Sequence, residues 1–424
     1  TGALPTGLTV GQGYFVVNST GGTFNVSTTI GGTPIDTTGS QSGLQYISPR
    51  GVDLADVGDA DAPLFQNVIQ VSDIYRFVLV FGTNDYGADY LDPMLIRWSD
   101  QEDPYTWTPA ATNQAGSLRL SHGSAITTVV QTRQEMVVFT DSSLYSLQYV
   151  GAPYVWTAQL LADNVSIVGP NAAVAASGRV FWMGVDKFYV YDGRVQTLNC
   201  DLRRFVFNDI NTSQADQIFA STNEGFNEVW WFYCSANSTV IDKYVIYNYL
   251  EKIWYYGSLS RTAWFDSGLL PYPFASTYDP VTQTGRLIYH EAGLNDNTDG
   301  TDYAINAYIS SSEFDIGDGH NFGFVWRIIP DLTFSNSTNE PTSGNSPRVT
   351  MTLYGLYNSG SGVIDNASGL VAKSSSYVIT EEFTGQIFTR LRGRQMIYKI
   401  ASNQINTCWQ LGAPRIDIKP DGRR

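Results

Sequence analysis

Four carboxylates, Asp53, Asp56, Asp59 and Asp61, crowd one short stretch near the start of the chain. Hard cations take several oxygens that converge on one point, and nothing in this spacing enforces convergence. The run reads as a solvated face or a set of capped turns. A second oxygen-rich segment, residues 295–306 (NDNTDGTDYAIN), has Asn295, Asn297, Asp299 and Gly300 where an EF-type calcium loop has its first, third, fifth and sixth positions. Asn306 stands where that loop needs a bidentate Glu, so a plain flexible loop is expected. No metal and no cofactor follow from either segment.

Catalytic spacing is equally thin. His122, His290 and His320 lie far apart, and no G-x-S-x-G elbow, H-E-x-x-H pair or phosphate-binding loop occurs. A glycosidase needs only two carboxylates at a set separation, and 40 Asp and Glu offer too many pairs for sequence to choose among. No enzyme is expected. Cys200, Cys234 and Cys408 are odd in number and lack C-x-x-C spacing, so they read as three buried free thiols, as in a reducing cytoplasm. Residues 97–107 (RWSDQEDPYTW) compare loosely with a sialidase-type Asp-box through Ser99, Asp100, Thr106 and Trp107, without its glycine or spacing. They read as a structural turn.

Charge sets a further bound. The chain of 424 residues carries a net charge of −15. A nucleic-acid reader that neutralises phosphates needs clustered Lys and Arg, although acidity does not exclude nucleic acid that slides past. With 43% hydrophobic and 15% charged residues the chain can bury a large core and should divide into more than one domain. No run of eighteen apolar residues suggests a membrane anchor. No signal-peptide pattern opens the sequence, and processing or truncation before Thr1 would leave no trace in it.

The elements that position these residues are short strands. In residues 178–195 (GRVFWMGVDKFYVYDGRV), two apolar, aromatic runs flank a turn at Val185 to Lys187, and Asp192-Gly193 reads as a two-residue hairpin loop. Residues 172–176 and 195–198 extend the pair to a quartet. Further quartets are residues 217–221, 228–234, 243–249 and 252–256; residues 125–131, 135–140, 144–149 and 155–161; and residues 65–71, 75–81, 94–98 with a stub at 106–107. A fifth is residues 274–278, 286–290 and 304–309, its last strand unassigned. The apolar second strands recur roughly every 45 to 60 residues, a spacing that suits four-stranded propeller blades. Helical turns are expected only near residues 51–59 and 200–210.

Beyond residue 322 about eight short strands with regular turn signals suggest a β-sandwich. The division expected is a small partial β module at 1–44, a β-propeller at 45–320 and a β-sandwich at 321–424. Arg390, Arg392, Arg394, Lys399, Arg415, Lys419, Arg423 and Arg424 make the final segment basic. They read as an interface to an acidic neighbour, such as the next subunit of the same protein, with nucleic-acid contact as the sharper alternative.

Several stretches resemble known proteins. Gly2 to Leu8 (GALPTGL), Tyr14 to Asn18 (YFVVN) and Thr23 to Ser27 (TFNVS) resemble a small β module of bacteriophage tail and virion proteins, whose opening strands would precede Thr1. The motifs at residues 97–109, 121–124 (SHGS), 184–195, 227–233, 314–327 (FDIGDGHNFGFVWR) and 415–424 (RIDIKPDGRR) resemble the nozzle, or tail-hub and stabilisation, proteins of tailed phages. That resemblance covers nearly all of residues 45–424. It implies a structural virion protein at the distal tail, assembled in the host cytoplasm as a ring of six identical subunits. Such a ring continues the DNA channel below a tail tube or adaptor protein, offers its outside to fibres or spikes, and lets DNA pass through its lumen without specific binding. The rival class is a carbohydrate-binding tail adhesin in which Trp107, Trp156 and Trp264 stack on sugars.

Overall fold

The structure, a computed structural model, describes residues 4–21, 23–39, 42, 54–279, 282–317, 319–338, 346–363, 371–381, 383 and 385–423. The chain is all-β. It divides into two compact units, residues 1–259 and 260–424, whereas the sequence reading puts the main boundary near residue 320. No helix among the described residues is long and apolar enough to cross a membrane.

The first unit opens with a hairpin of β1 (Phe15–Thr20) and β2 (Thr23–Ser27), followed by the single turn α1 (Leu54–Val57). Four four-stranded antiparallel sheets come next, each a meander in chain order. Sheet 1 holds β3 (Gln66–Val71), β4 (Val78–Thr83), β5 (Asp92–Trp98) and β6 (Gly116–Arg119). Sheet 2 holds β7 (Ile126–Gln131), β8 (Met136–Thr140), β9 (Ser143–Gly151) and β10 (Val155–Asp163). Sheet 3 holds β11 (Ala173–Ala176), β12 (Arg179–Met183), β13 (Phe188–Tyr191) and β14 (Val195–Leu198). After α2 (Arg203–Asp209), sheet 4 holds β15 (Phe219–Asn223), β16 (Glu228–Tyr233), β17 (Lys243–Asn248) and β18 (Ile253–Ser258).

Central strands are buried on both faces, which is why their sequences run apolar without alternating. Every residue of β8 is buried. Met136 and Val138 share an apolar cluster with Phe81 and Ile96 of sheet 1, while Val137 and Phe139 share another with Val180 and Trp182 of sheet 3. Phe139 meets the Trp182 ring edge-on at 5.2 Å. Full burial of each such side chain is worth on the order of 1.5–3 kcal/mol. The first strands of successive sheets adjoin, β3 beside β7, β7 beside β11, and β11 beside β15. A parallel bridge from Asn171 to Phe219 links the last two sheets.

Two local expectations need correction. Sheet 1 takes its fourth strand from β6, not from Thr106 and Trp107. Gly116 faces Trp98 across the ladder, and a Cβ there would come within 2.7 Å of the indole, so the strand is built around a glycine that carries no strand signal. The β13–β14 connection has three residues, since Tyr191 pairs with Val195, and Gly193 supplies the positive φ of 98°.

The second unit contains β19 (Ala263–Phe265), β20 (Phe274–Asp279), β21 (Thr284–Tyr289), β22 (Asn295–Asp296), β23 (Tyr303–Ala304) and β24 (Ala307–Ser310). It continues with β25 (Gly323–Ile329), β26 (Leu332–Thr333), β27 (Arg348–Leu356), β28 (Lys373–Thr380), β29 (Ile387–Gly393), β30 (Gln395–Ser402), β31 (Gln410–Leu411) and β32 (Arg415–Pro420). The expected fifth quartet does not form. Strands β19, β20 and β21 make a three-stranded sheet, while β24 pairs with β30 in the order β24-β30-β27-β28. A three-stranded sheet ordered β29-β25-β32 contributes Val325, Ile328 and Leu391 to the core that Met351, Leu353 and Ile400 fill from the other sheet.

Candidate interaction surface

Two of the sequence candidates turn out to be one structural knot. Asp53 lies outside the described residues, as does the Asp56 side chain. Asp59 accepts hydrogen bonds from the backbone N–H groups of Trp107 at 3.1 Å, Thr108 at 2.7 Å and Asp61 at 3.0 Å. Burial pushes its pKa up, but the Thr108 hydroxyl first and then these backbone bonds together outweigh burial and hold it at about 2. Asp61 accepts from the Thr108 hydroxyl. Arg97, fully buried, donates to the Asp61 carbonyl and to the Asn84 carbonyl, and its guanidinium lies 4.1 Å over the Tyr86 ring. The acidic run and the box-like loop therefore brace each other.

The aromatic candidates are not presented to solvent together. Trp107 is 1% exposed and donates to the Pro104 carbonyl. Trp156 is 4% exposed within a cluster that includes Tyr75 and Tyr149. Trp264, half-buried, packs tilted against His290 with ring centroids 4.5 Å apart.

The 295–306 segment is a hairpin whose carboxylates serve its own loop. Asp296 accepts from Thr298, Asp299 from the Thr301 N–H and the Tyr303 hydroxyl, and Asp302 from Asn297. No group of three His, Cys, Asp or Glu side chains placed to hold a metal occurs among the described residues.

The histidines have separate surroundings. Ser121 Oγ lies 3.0 Å from His122 Nδ1, and Asp163 takes its hydrogen bond from Ser143. His290 accepts from Arg261 Nε at 2.8 Å; burial first, then the Arg261 charge, depresses its pKa to about 4. The His320 carbonyl accepts from Arg394. All three thiols are free, but only Cys234 is fully buried, with Cys200 and Cys408 half-buried. Burial pushes the Cys200 and Cys234 thiols up to about 11.

The basic residues of the last segment do converge. On the outward side of the β29-β25-β32 sheet, Phe324 sits between its cross-strand partners Arg392 and Lys419, and Arg327 between Phe388 and Asp417. An irregularity between Val325 and Arg327 brings Trp326 among them. The Arg327 guanidinium lies 4.8 Å and the Lys419 ammonium 5.2 Å from the Trp326 ring, while Arg392 and Arg394 lie 4.2 and 4.6 Å from the Phe322 ring. Arg327 pairs with Asp417 and Arg392 with Asp421. Arg390, Arg415, Lys419 and Arg423 are exposed, and Phe388 is 67% exposed. Lys399 belongs to the other sheet, over Tyr308, and Arg424 lies outside the described residues. The aromatic half of this face escapes a reading of charge alone. Its signal is the alternation Phe388, Arg390, Arg392 along one strand, every second residue polar or exposed around buried Thr389 and Leu391.

No protein-family model matches the chain, and no curated protein matches it. Solved structures that align with it include two of the extracellular domain of BT4673 from B. thetaiotaomicron, described once as a one component system and once as a hybrid two component system. Each shares 9% of residues with this chain at a TM-score of 0.30, covering 66% and 65% of this chain respectively and 45% of the other. The chain thus spans less than half the length of these structures.

Proposed function

We propose that this chain is a structural virion protein, a subunit of the phage tail nozzle or hub ring, and that its first unit is a β-propeller-like stack of blades and its second carries a β-sandwich. The observation that carries this reading is the run of four consecutive four-stranded meanders with adjoining first strands and central strands buried on both sides. That is how blades pack around a common axis. The chemistry is consistent with a wall: the candidate carboxylates hold loops together, and a net charge of −15 repels phosphates, so DNA passes a lumen without sticking. Identical subunits close the ring, with a tail tube or adaptor above and fibres or spikes outside. The adhesin reading loses weight because Trp107 and Trp156 are buried.

Electron microscopy of the purified protein tests this directly. Closed rings of uniform diameter are expected, six-membered on the nozzle reading. A chain that stays monomeric at all concentrations and binds glycans on an array would overturn it.

A further inference from the structure

We infer that the cationic, aromatic face of the β29-β25-β32 sheet is the lateral docking surface for a second copy of this chain, and that it receives the acidic loop between β4 and β5. This rests on the ring reading above and adds the surfaces that make the ring.

Two exposed patches of opposite charge support the match. On the second unit, Phe388, Arg390, Arg415 and Lys419 stand exposed. On the first unit, the loop after β4 exposes Asp85, Asp89, Tyr90 and Leu91, with Leu64 and Phe65 exposed beside it. Asn84 fixes this loop: its Oδ1 accepts from the Leu64 and Phe65 N–H groups, and its Nδ2 donates to the carbonyls of Asp85 and Ala88. A preformed loop loses little entropy on docking. Residues 1–259 carry twice as many Asp and Glu as Lys and Arg, whereas residues 386–424 hold eight cations against Asp417 and Asp421. The face on one copy and the loop on another are complementary in sign, which steers association and fixes its register.

Single-stranded nucleic acid is the competing occupant, and the rings argue against it. Base stacking needs open aromatic faces, but Trp326 and Phe322 already have guanidinium and ammonium groups of the same chain over them. What remains outward is mainly positive charge, which suits carboxylates. A contact between two different patches is heterologous, the kind that closes into rings.

Charge reversal tests the pairing. One variant carries Arg390→Glu with Lys419→Glu, a second carries Asp85→Lys with Asp89→Lys, and light scattering after size exclusion reads the assembly state of the full chain. Each variant alone should need at least about tenfold higher concentration than wild type to assemble, with unchanged far-UV circular dichroism. Mixing the two variants, or combining all four changes in one chain, should restore assembly because every interface again joins opposite charges. Assembly of the first variant at wild-type concentration, or failure of the mixture to recover, overturns the assignment while leaving a ring-forming wild type intact. A wild type that never assembles overturns the ring itself. Wild-type binding of a labelled single-stranded oligonucleotide at physiological salt, abolished by Arg390→Glu with Lys419→Glu, overturns the assignment in favour of nucleic acid.

Discussion

The residues that look most chemical are those most committed to structure. Asp59 is held by three backbone N–H groups, so Asp59→Ala takes the acceptor from the part-buried Trp107 N–H and leaves the exposed Thr108 N–H to water. Urea unfolding should show a loss of about 1–3 kcal/mol. Because the folded pKa of about 2 lies below the ordinary 3.8, the stabilisation is complete above about pH 4 and is lost as pH falls toward 2. His290 has the same sign for a different reason. Its folded pKa of about 4 lies below 6.5, so between those values only the unfolded chain takes up the proton, and stability drops as pH is lowered through that window. The urea midpoint should fall between pH 6.5 and pH 4.5 in wild type and fall less in His290→Asn. Sequence placed both residues without their partners. Two of the three Asp59 donors, Trp107 and Thr108, are nearly fifty positions away, and the Arg261 that disfavours the imidazolium carries no local signal.

Among the elements, the strands were legible wherever a sheet buried both its faces, since runs such as Val137-Val138-Phe139 leave nothing polar to confuse the pattern. Legibility failed where pairing partners decide: β6 is Gly-Ser-Leu-Arg and exists because Trp98 needs a glycine opposite, and β24 leaves its expected quartet to join β30. The ties between sheets were also invisible. Glu135, in the β7–β8 turn, accepts from Ser146 and Gln148 in its own sheet and from the Tyr191 hydroxyl of sheet 3 at 2.8 Å. Burial and then this carboxylate push the Tyr191 hydroxyl well above its ordinary pKa. A double-mutant cycle with Glu135→Gln and Tyr191→Phe should return a coupling of about 0.5–3 kcal/mol; additive losses would mean that the bond does not join the sheets energetically.

At the scale of the whole molecule, the second unit has its own apolar core, formed by residues such as Val325, Met351, Leu391 and Ile400, so residues 260–424 expressed alone should fold. Cooperative urea unfolding of that fragment is expected, and a broad, non-cooperative profile would contradict it. The all-β class and the basic terminal segment could be read from the sequence, while the division at residue 259 could not, because it follows long-range pairing. The placement of sheet 2 between two apolar clusters has an evolutionary corollary. Deleting one quartet would strip the cover from both of its neighbours at once, so copy number is hard to change in small steps. Descendants of such a chain are freer to vary at connections that pack against nothing than in the number of layers.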